Sequence, residues 1–172
     1  MDLHIWFAYF AASWAIALSP GSGAVLSMTH GLAYGVKKTS ATIAGLQLGL
    51  SVILLVAGVG VGALLLASAT AFTVVKFAGA GYLIWLGVKQ WRSRVEASVS
   101  SGDAAQSPVG VPSTRERFTT GFLTNVTNPK GIVFMVAVLP QFIDPARALW
   151  LQLLIVLVTT VAVDLVVMHG YA

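Results

Sequence analysis

The chain has 172 residues, of which 57% are hydrophobic and 9% are charged, with a formal net charge of +4. Soluble domains carry about 25% charged residues, so this composition excludes an ordinary soluble globular protein. Residues 5–36 and 39–75 contain no Asp, Glu, Lys or Arg, and uncharged apolar runs of this length are typical of segments that span a bilayer.

Five apolar segments in chain order predict membrane-spanning helices. They cover residues 4–30, 41–66, 71–91, 118–142 and 149–172, and each has room for the roughly 20 residues that a span needs. The segments are apolar on all sides, whereas barrel strands alternate apolar and polar residues. We therefore predict an all-α integral membrane protein, a polytopic helical bundle. The N-terminal MDLH lacks the basic region of a signal peptide, so we expect the first segment to be retained.

The basic residues orient these spans. Two of them, Lys76 and Arg147, fall on one predicted side of the membrane. The other side receives Lys37, Lys38, Lys89, Arg92, Arg94, Arg115, Arg117 and Lys130. Because Lys and Arg accumulate in cytoplasmic loops, the second side is predicted to be cytoplasmic and the N-terminus to lie outside. We interpret these charges as determinants of topology and predict no nucleic-acid partner.

A polar stretch divides the chain into two halves. Residues 1–91 form a first transmembrane repeat of three spans, 92–117 a flexible cytoplasmic linker rich in Ser, Gly, Ala and Pro, and 118–172 a second repeat of two spans. Three spans before the linker reverse the orientation of the second half, which is typical of an inverted repeat. We expect three plus three spans, with the sixth missing from this truncated chain.

The first segment of each half contains a helix-breaking stretch. These stretches are SPGSG at 19–23 and TNPKG at 127–131. Ser and Asn are preferred N-caps and Pro is favoured at the first helical position, so Ser19 and Asn128 each predict a new helical segment inside the membrane. Paired breaks at this depth point to a transporter's binding site, and simple proline kinks are the alternative. The candidate substrate-binding residues here are Ser19, Pro20, Gly21, Ser22, Gly23, Asn128, Pro129 and Lys130.

Three further polar residues in the apolar segments are candidates for function. A central Asp costs roughly 2.5–3.5 kcal/mol on insertion scales, so we expect Asp164 to face the bundle interior and to bind a substrate ammonium or carry a coupling proton. Its alternative role is a buried neutral acid that is hydrogen-bonded to Thr or to backbone. Gln47 either lines the substrate cavity or bonds between helices. His169, five residues after Asp164, is a candidate proton-relay partner.

Several segments together carry a family resemblance. They are SPGSGAV (19–25), MTHGLAYGVKKTSATIAGLQLGL (28–50), KFAGAGYLIWLGVKQWR (76–92), NVTNPKGIVFMVAVLPQFI (125–143) and VAVDLVVMHGYA (161–172). With these segments the chain resembles the LysE/RhtB superfamily of bacterial amino-acid exporters over nearly its whole length. Many members have Pro-Gly-Pro in the first motif. Ser22 replaces the second proline here, which resembles the homoserine/homoserine lactone exporter branch.

The resemblance implies a six-span inner-membrane protein that expels neutral amino acids by use of the proton gradient. We expect a secondary exporter of homoserine, homoserine lactone and threonine, with protons and the lipid bilayer as its other partners. Paired half-helix ends would bind the carboxylate, Asp164 the amine or proton, and Ser22 or Asn128 the hydroxyl group. A lactone has no carboxylate, so carboxylate capture cannot supply all the recognition. The alternative is a passive channel-like pore or a non-transporting membrane scaffold.

Enzymatic function has little support in the sequence. The chain has no cysteine, which excludes a thiolate metal site and a cysteine nucleophile. The three histidines lack metal-ligand spacing, and we find no nucleophile–base pair or carboxylate dyad. We therefore predict a protein that is not an enzyme, with no metal and no cofactor. Pairs of small residues spaced four apart would permit a homo-oligomer.

Overall fold

A computed structural model describes residues 1–92 and 111–172 of the chain. Within these ranges the protein is entirely helical, without strands. The helices are α1 (Leu3–Ala17), α2 (Ser22–Tyr34), α3 (Val36–Ala67), α4 (Ala69–Arg92), α5 (Thr114–Val126), α6 (Pro129–Phe142) and α7 (Leu149–Tyr171). Most of the linker predicted at 92–117 lies outside the described residues. The described part of that stretch includes the start of α5, where Ser113 and Glu116 form a capping box.

Two helices, α3 and α7, are each long and apolar enough to cross a membrane. Two further pairs qualify if each bent pair is one span: α1 with α2, bent by 56°, and α5 with the part of α6 from Gly131, bent by 58°. The predicted third span, 71–91, falls on α4, a helix that is not among these candidate spans. Outward-facing Leu32 and Leu66 are 90% and 93% exposed, as expected for side chains that face lipid. These features agree with a helical membrane protein, whereas the three-plus-three repeat stays a prediction.

Close backbone contact joins α3 to α5, and glycine makes it possible. A Cβ atom on Gly45 would lie 2.0 Å from the carbonyl oxygen of Phe118, and one on Gly121 would lie 2.1 Å from that of Thr42. Small residues at such crossings let helices in a membrane approach closely, so that dispersion contacts replace the missing hydrophobic driving force. The contact holds the first half of one bent pair against the long helix α3.

Two buried apolar clusters form the core of the described part of the chain. One contains Tyr9, Leu54 and Leu139 among its members. The other surrounds the first break, because Ala17 and Ala24 pack there with residues of α3 and α7. Polar contacts mark the two ends of the bundle: Arg147 pairs with Asp2 at one end, and Arg117 donates to the Lys38 carbonyl at the other.

Candidate functional site

Both helix breaks line one cavity in the middle of the bundle. Its volume is about 100 Å³, which is room for several waters or for one small molecule, since a water needs roughly 10–15 Å³ on this scale. The wall combines residues of the two breaks with polar and apolar residues of six helices, α1, α2, α3, α5, α6 and α7. It is formed by Tyr9, Ser13, Ile16, Ala17, Ser19, Gly21, Gly23, Ala24, Leu46, Leu50, Asn125, Asn128, Gly131, Phe134, Met135, Thr160, Asp164 and Met168.

After the first break, the new helix α2 begins two residues later than the sequence predicts, because its N-cap is Gly21 and not Ser19. The backbone N–H of Ser19 still donates to Ile16 O at 3.0 Å and so closes the end of α1. Gly21, in extended conformation with φ −145°, is the N-cap of α2, and its carbonyl accepts from Val25 N at 3.0 Å. The prediction that Ser19 caps the new helix is therefore wrong. The reason is that Ser19 remains engaged in the last turn of α1.

The second break agrees with its prediction. Helix α6 begins at Pro129, and the carbonyl of Asn128 accepts from Ile132 N at 3.1 Å, as an N-cap carbonyl does. The first turn of a helix has backbone N–H groups without intrahelical partners and carries the positive end of the helix dipole. Gly23 and Gly131 from the first turns of α2 and α6 line the cavity, so both positive ends lie at its wall.

The acid of the last segment also lines this cavity. Asp164, on α7, accepts a hydrogen bond of 2.5 Å from Nε2 of Gln47 on α3. Of the two alternatives for Gln47, the interhelical bond is the one present, since Gln47 is not among the cavity-lining residues. Its Oε1 is buried and has no hydrogen-bond partner in the described part of the chain. Asp164 is thus held by a side chain of another helix rather than by Thr or backbone.

Four polar residues of the cavity wall were not predicted from the sequence: Tyr9, Ser13, Asn125 and Thr160. The hydroxyls of Tyr9 and Thr160 share a short hydrogen bond between α1 and α7. Asn125 Nδ2 donates to the carbonyl of Leu46 at 2.6 Å. Helical spacing offered a signal for one of the four, because Thr160 is one turn from the predicted residue Asp164. Ser13 is one turn from Tyr9, which was itself not predicted.

Several predicted site residues are not on the cavity wall. Pro20, Ser22 and Pro129 are exposed and do not line the cavity. His169 bonds through Nε2 to Ser40 Oγ at 3.3 Å and through Nδ1 to Leu165 O at 2.8 Å, so the structure does not join it directly to Asp164.

One predicted residue cannot be placed. The side chain of Lys130 lies outside the described residues.

The cavity therefore combines three kinds of recognition group. Half-helix N-termini attract a carboxylate, a carboxyl group can accept from an ammonium, and hydroxyls can bond a polar side chain. No group of three or more His, Cys, Asp or Glu residues suited to a metal ion occurs within residues 1–92 and 111–172. This set of groups matches a small polar molecule that carries both charges of an amino acid.

Comparison with known proteins places the chain in a family. A homoserine/homoserine lactone efflux protein of Salmonella typhi is 44% identical over 173 residues, which cover 100% of this chain and 81% of that protein. An uncharacterized membrane protein of Vibrio cholerae is also 44% identical, with 99% and 80% covered. A leucine efflux protein of Klebsiella pneumoniae is 33% identical, with 79% and 62% covered.

No solved structure matches the chain at a significant level. The family described as LysE type translocator matches residues 14–172, which is most of the chain. Proteins of this family are transporters and not enzymes. The chain belongs to the LysE type translocator family.

Proposed function

We propose that the protein is a secondary exporter of small neutral amino acids, and that homoserine and homoserine lactone are its substrates, with threonine a further one. One observation carries the proposal: two helix breaks and Asp164 line the same cavity. Membership of a translocator family and similarity to proteins named as efflux proteins support a function in amino-acid export. The substrate is inferred from the relatives that share 44% identity over the whole chain.

Each recognition group has a proposed role. The N-terminal turns of α2 and α6, at Gly23 and Gly131, bind the carboxylate of homoserine through backbone N–H groups. Asp164 binds the ammonium, or carries the coupled proton once the substrate has left. Homoserine lactone retains the amine but has no carboxylate. The amine is therefore the group that both substrates share. Because Asp164 binds the amine, we assign to Asp164 the larger part of the recognition that is common to the two substrates.

The proposed membrane arrangement follows from the two bent pairs. We infer two inverted repeats in the bacterial inner membrane, with the N-terminus outside and the breaks near the midplane, where transporters of this design bind substrate. Proton entry from outside would neutralise Asp164 and release the ammonium, which gives antiport of a proton against an amino acid. The two half-helices then provide a cavity that opens in turn to each side.

A passive pore is the alternative function. It would share the cavity and the half-helix ends but would move substrate only down its gradient. A non-transporting scaffold would need neither the cavity nor a membrane-embedded acid.

The experiment is efflux of labelled homoserine from loaded cells that express the protein, with and without a proton gradient. Asp164→Asn keeps the shape of the side chain and its ability to accept from Gln47, but it cannot carry a proton. The matched control is Asp144→Asn, because Asp144 lies in the loop between α6 and α7 and pairs with Arg147 at 3.2 Å.

We expect gradient-driven efflux from the wild type and from Asp144→Asn, and loss of the gradient dependence in Asp164→Asn. Efflux that never exceeds equilibration would favour the pore. Undiminished gradient-driven efflux in Asp164→Asn would remove this residue from the coupling mechanism.

A further inference from the structure

We propose that the hydroxyl pair formed by Tyr9 and Thr160 recognises the side-chain hydroxyl of the exported amino acid. The inference rests on the proposed function and adds the group that selects the side chain. Both residues line the cavity that contains the helix breaks and Asp164, and their hydroxyls are hydrogen-bonded to each other. Of the two residues expected from sequence to bind that hydroxyl, Ser22 is exposed and off the cavity wall, whereas Asn128 lines the cavity. The hydroxyl pair is a recognition group beyond those two.

The spacing along α7 suits a short amino acid. Thr160 and Asp164 are four residues apart and lie on one face of the helix, separated by about one turn, roughly 5.4 Å. The amine and hydroxyl of homoserine are joined through three carbon atoms, which span a similar length when extended. An amino acid whose ammonium contacts Asp164 can therefore place its hydroxyl at Thr160 without a shift of the helix.

The number of hydroxyl hydrogens decides which residue of the pair donates and which accepts. A threonine hydroxyl has one hydrogen, and that of Thr160 is donated to the carbonyl of Val156 at 2.8 Å. In the bond between the two hydroxyls Tyr9 is therefore the donor and Thr160 the acceptor. Because both hydroxyl hydrogens are already donated within the protein, the oxygens of Tyr9 and Thr160 can only accept a hydrogen bond from a ligand. The pair thus binds a ligand group that donates, such as an O–H, and offers nothing to a ring ester or an alkyl chain.

Burial of the pair increases its selectivity for a ligand that carries a hydroxyl group. Tyr9 is 1% exposed and Thr160 is 8% exposed, and apolar residues such as Phe134 and Met135 form part of the same wall. A buried site built to bond a hydroxyl rejects the analogue that lacks it, because the acceptors are then left without water or ligand. The pair is accordingly a means to prefer homoserine over an isosteric apolar amino acid.

The neighbouring residue offers a matched control. Thr159 is also 8% exposed, but its hydroxyl accepts from Trp6 Nε1 at 3.1 Å and it does not line the cavity. Thr160→Val and Thr159→Val therefore remove the same group from adjacent positions of equal burial. Thr160→Ser keeps the hydroxyl at the cavity, and Tyr9→Phe removes the other hydroxyl with the ring retained.

The test measures transport of labelled homoserine and, separately, of labelled homoserine lactone by the purified protein in liposomes. The lactone has no hydroxyl donor, so it reports the amount of working transporter in each variant. We expect the homoserine-to-lactone ratio to fall roughly three- to tenfold in Thr160→Val, the scale of one neutral hydrogen bond. Tyr9→Phe should lower the ratio likewise, whereas Thr159→Val and Thr160→Ser should retain it.

An unchanged ratio in Thr160→Val, or an equal fall for both compounds, would overturn the inference while leaving the exporter function intact. A wild-type protein that transports neither compound would instead refute the proposed function on which the inference rests.

Discussion

Gln47 Nε2 donates a hydrogen bond of 2.5 Å to Oδ2 of Asp164, and this bond joins α3 to α7 beside the cavity. Gln47 is 7% exposed, and its Oε1 has no partner among the described residues. The amide thus orients the Asp164 carboxyl group. It also retains an acceptor that a protonated Asp164 could satisfy if the amide turned over.

The first prediction concerns the energy of this bond. In a double-mutant cycle of Gln47→Leu and Asp164→Leu, we expect a coupling free energy of about 0.6 to 1.7 kcal/mol, the range of interhelical hydrogen bonds in membranes. Unfolding in mixed micelles by a denaturing detergent provides the free energies. A control cycle of Gln47→Leu with Thr159→Val should be additive within about 0.5 kcal/mol. Additivity in the first cycle would show that the bond contributes nothing to stability.

The second prediction concerns the contact between α3 and α5. Gly45→Ala places a methyl group 2.0 Å from the Phe118 carbonyl oxygen, and a backbone atom cannot rotate away. We expect the free energy of unfolding to fall by roughly 3 kcal/mol or more, the upper range of overpacking.

Gly60→Ala on the same helix is the control, because a Cβ there meets nothing within 4 Å. It should be neutral or stabilising by up to about 1 kcal/mol, since Ala favours helix over Gly. Equal stability of the two variants would contradict the close contact.

The third prediction concerns Arg117 at the start of α5. Its guanidinium donates to the Lys38 carbonyl at 3.1 Å, to Thr114 Oγ1 at 3.2 Å and to the Pro112 carbonyl. A lysine cannot reproduce this planar set of donors. Arg117→Lys should therefore lower the unfolding free energy by about 1.5–3 kcal/mol, the range for a hydrogen bond with a charged partner. Arg115→Lys, at an exposed neighbour, should change it by less than about 0.5 kcal/mol.

The fourth prediction concerns membrane orientation. The chain has no cysteine, so single-cysteine variants can be labelled without background. Ala146→Cys, in the exposed loop between α6 and α7, should react with a membrane-impermeant thiol reagent in intact cells. Val111→Cys, exposed before α5, should react only after the membrane is opened. The opposite pattern would reverse the proposed orientation.

Much of the helical architecture could be predicted from sequence, but helix ends near the first break could not. Proline and asparagine locate the second break correctly at Asn128, since an N-cap is a local property of two or three residues. At the first break, the same local rule favoured Ser19. The actual cap is Gly21, because a last turn of α1 competes for Ser19 and only the folded chain settles that competition.

The candidate site likewise contains some residues that the sequence predicted and others that only the tertiary structure revealed. Asp164 and the two breaks were predicted because a charged group or an opened helix in an apolar segment is costly wherever it occurs. Tyr9 and Thr160 were not predicted, since a hydroxyl side chain costs little free energy in a membrane helix. Only the contact between the two residues across the cavity identifies them as part of a site.

By itself the sequence determined a helical membrane protein with two interrupted segments and one buried acid, because transfer free energies and N-cap preferences depend on residue type and near neighbours. The tertiary structure decided that both interruptions meet at one cavity, that Gln47 holds Asp164, and that Tyr9 bonds Thr160 from 151 residues away. Such contacts depend on how α1, α3 and α7 pack, and glycine contacts and shape complementarity over the whole bundle set that packing.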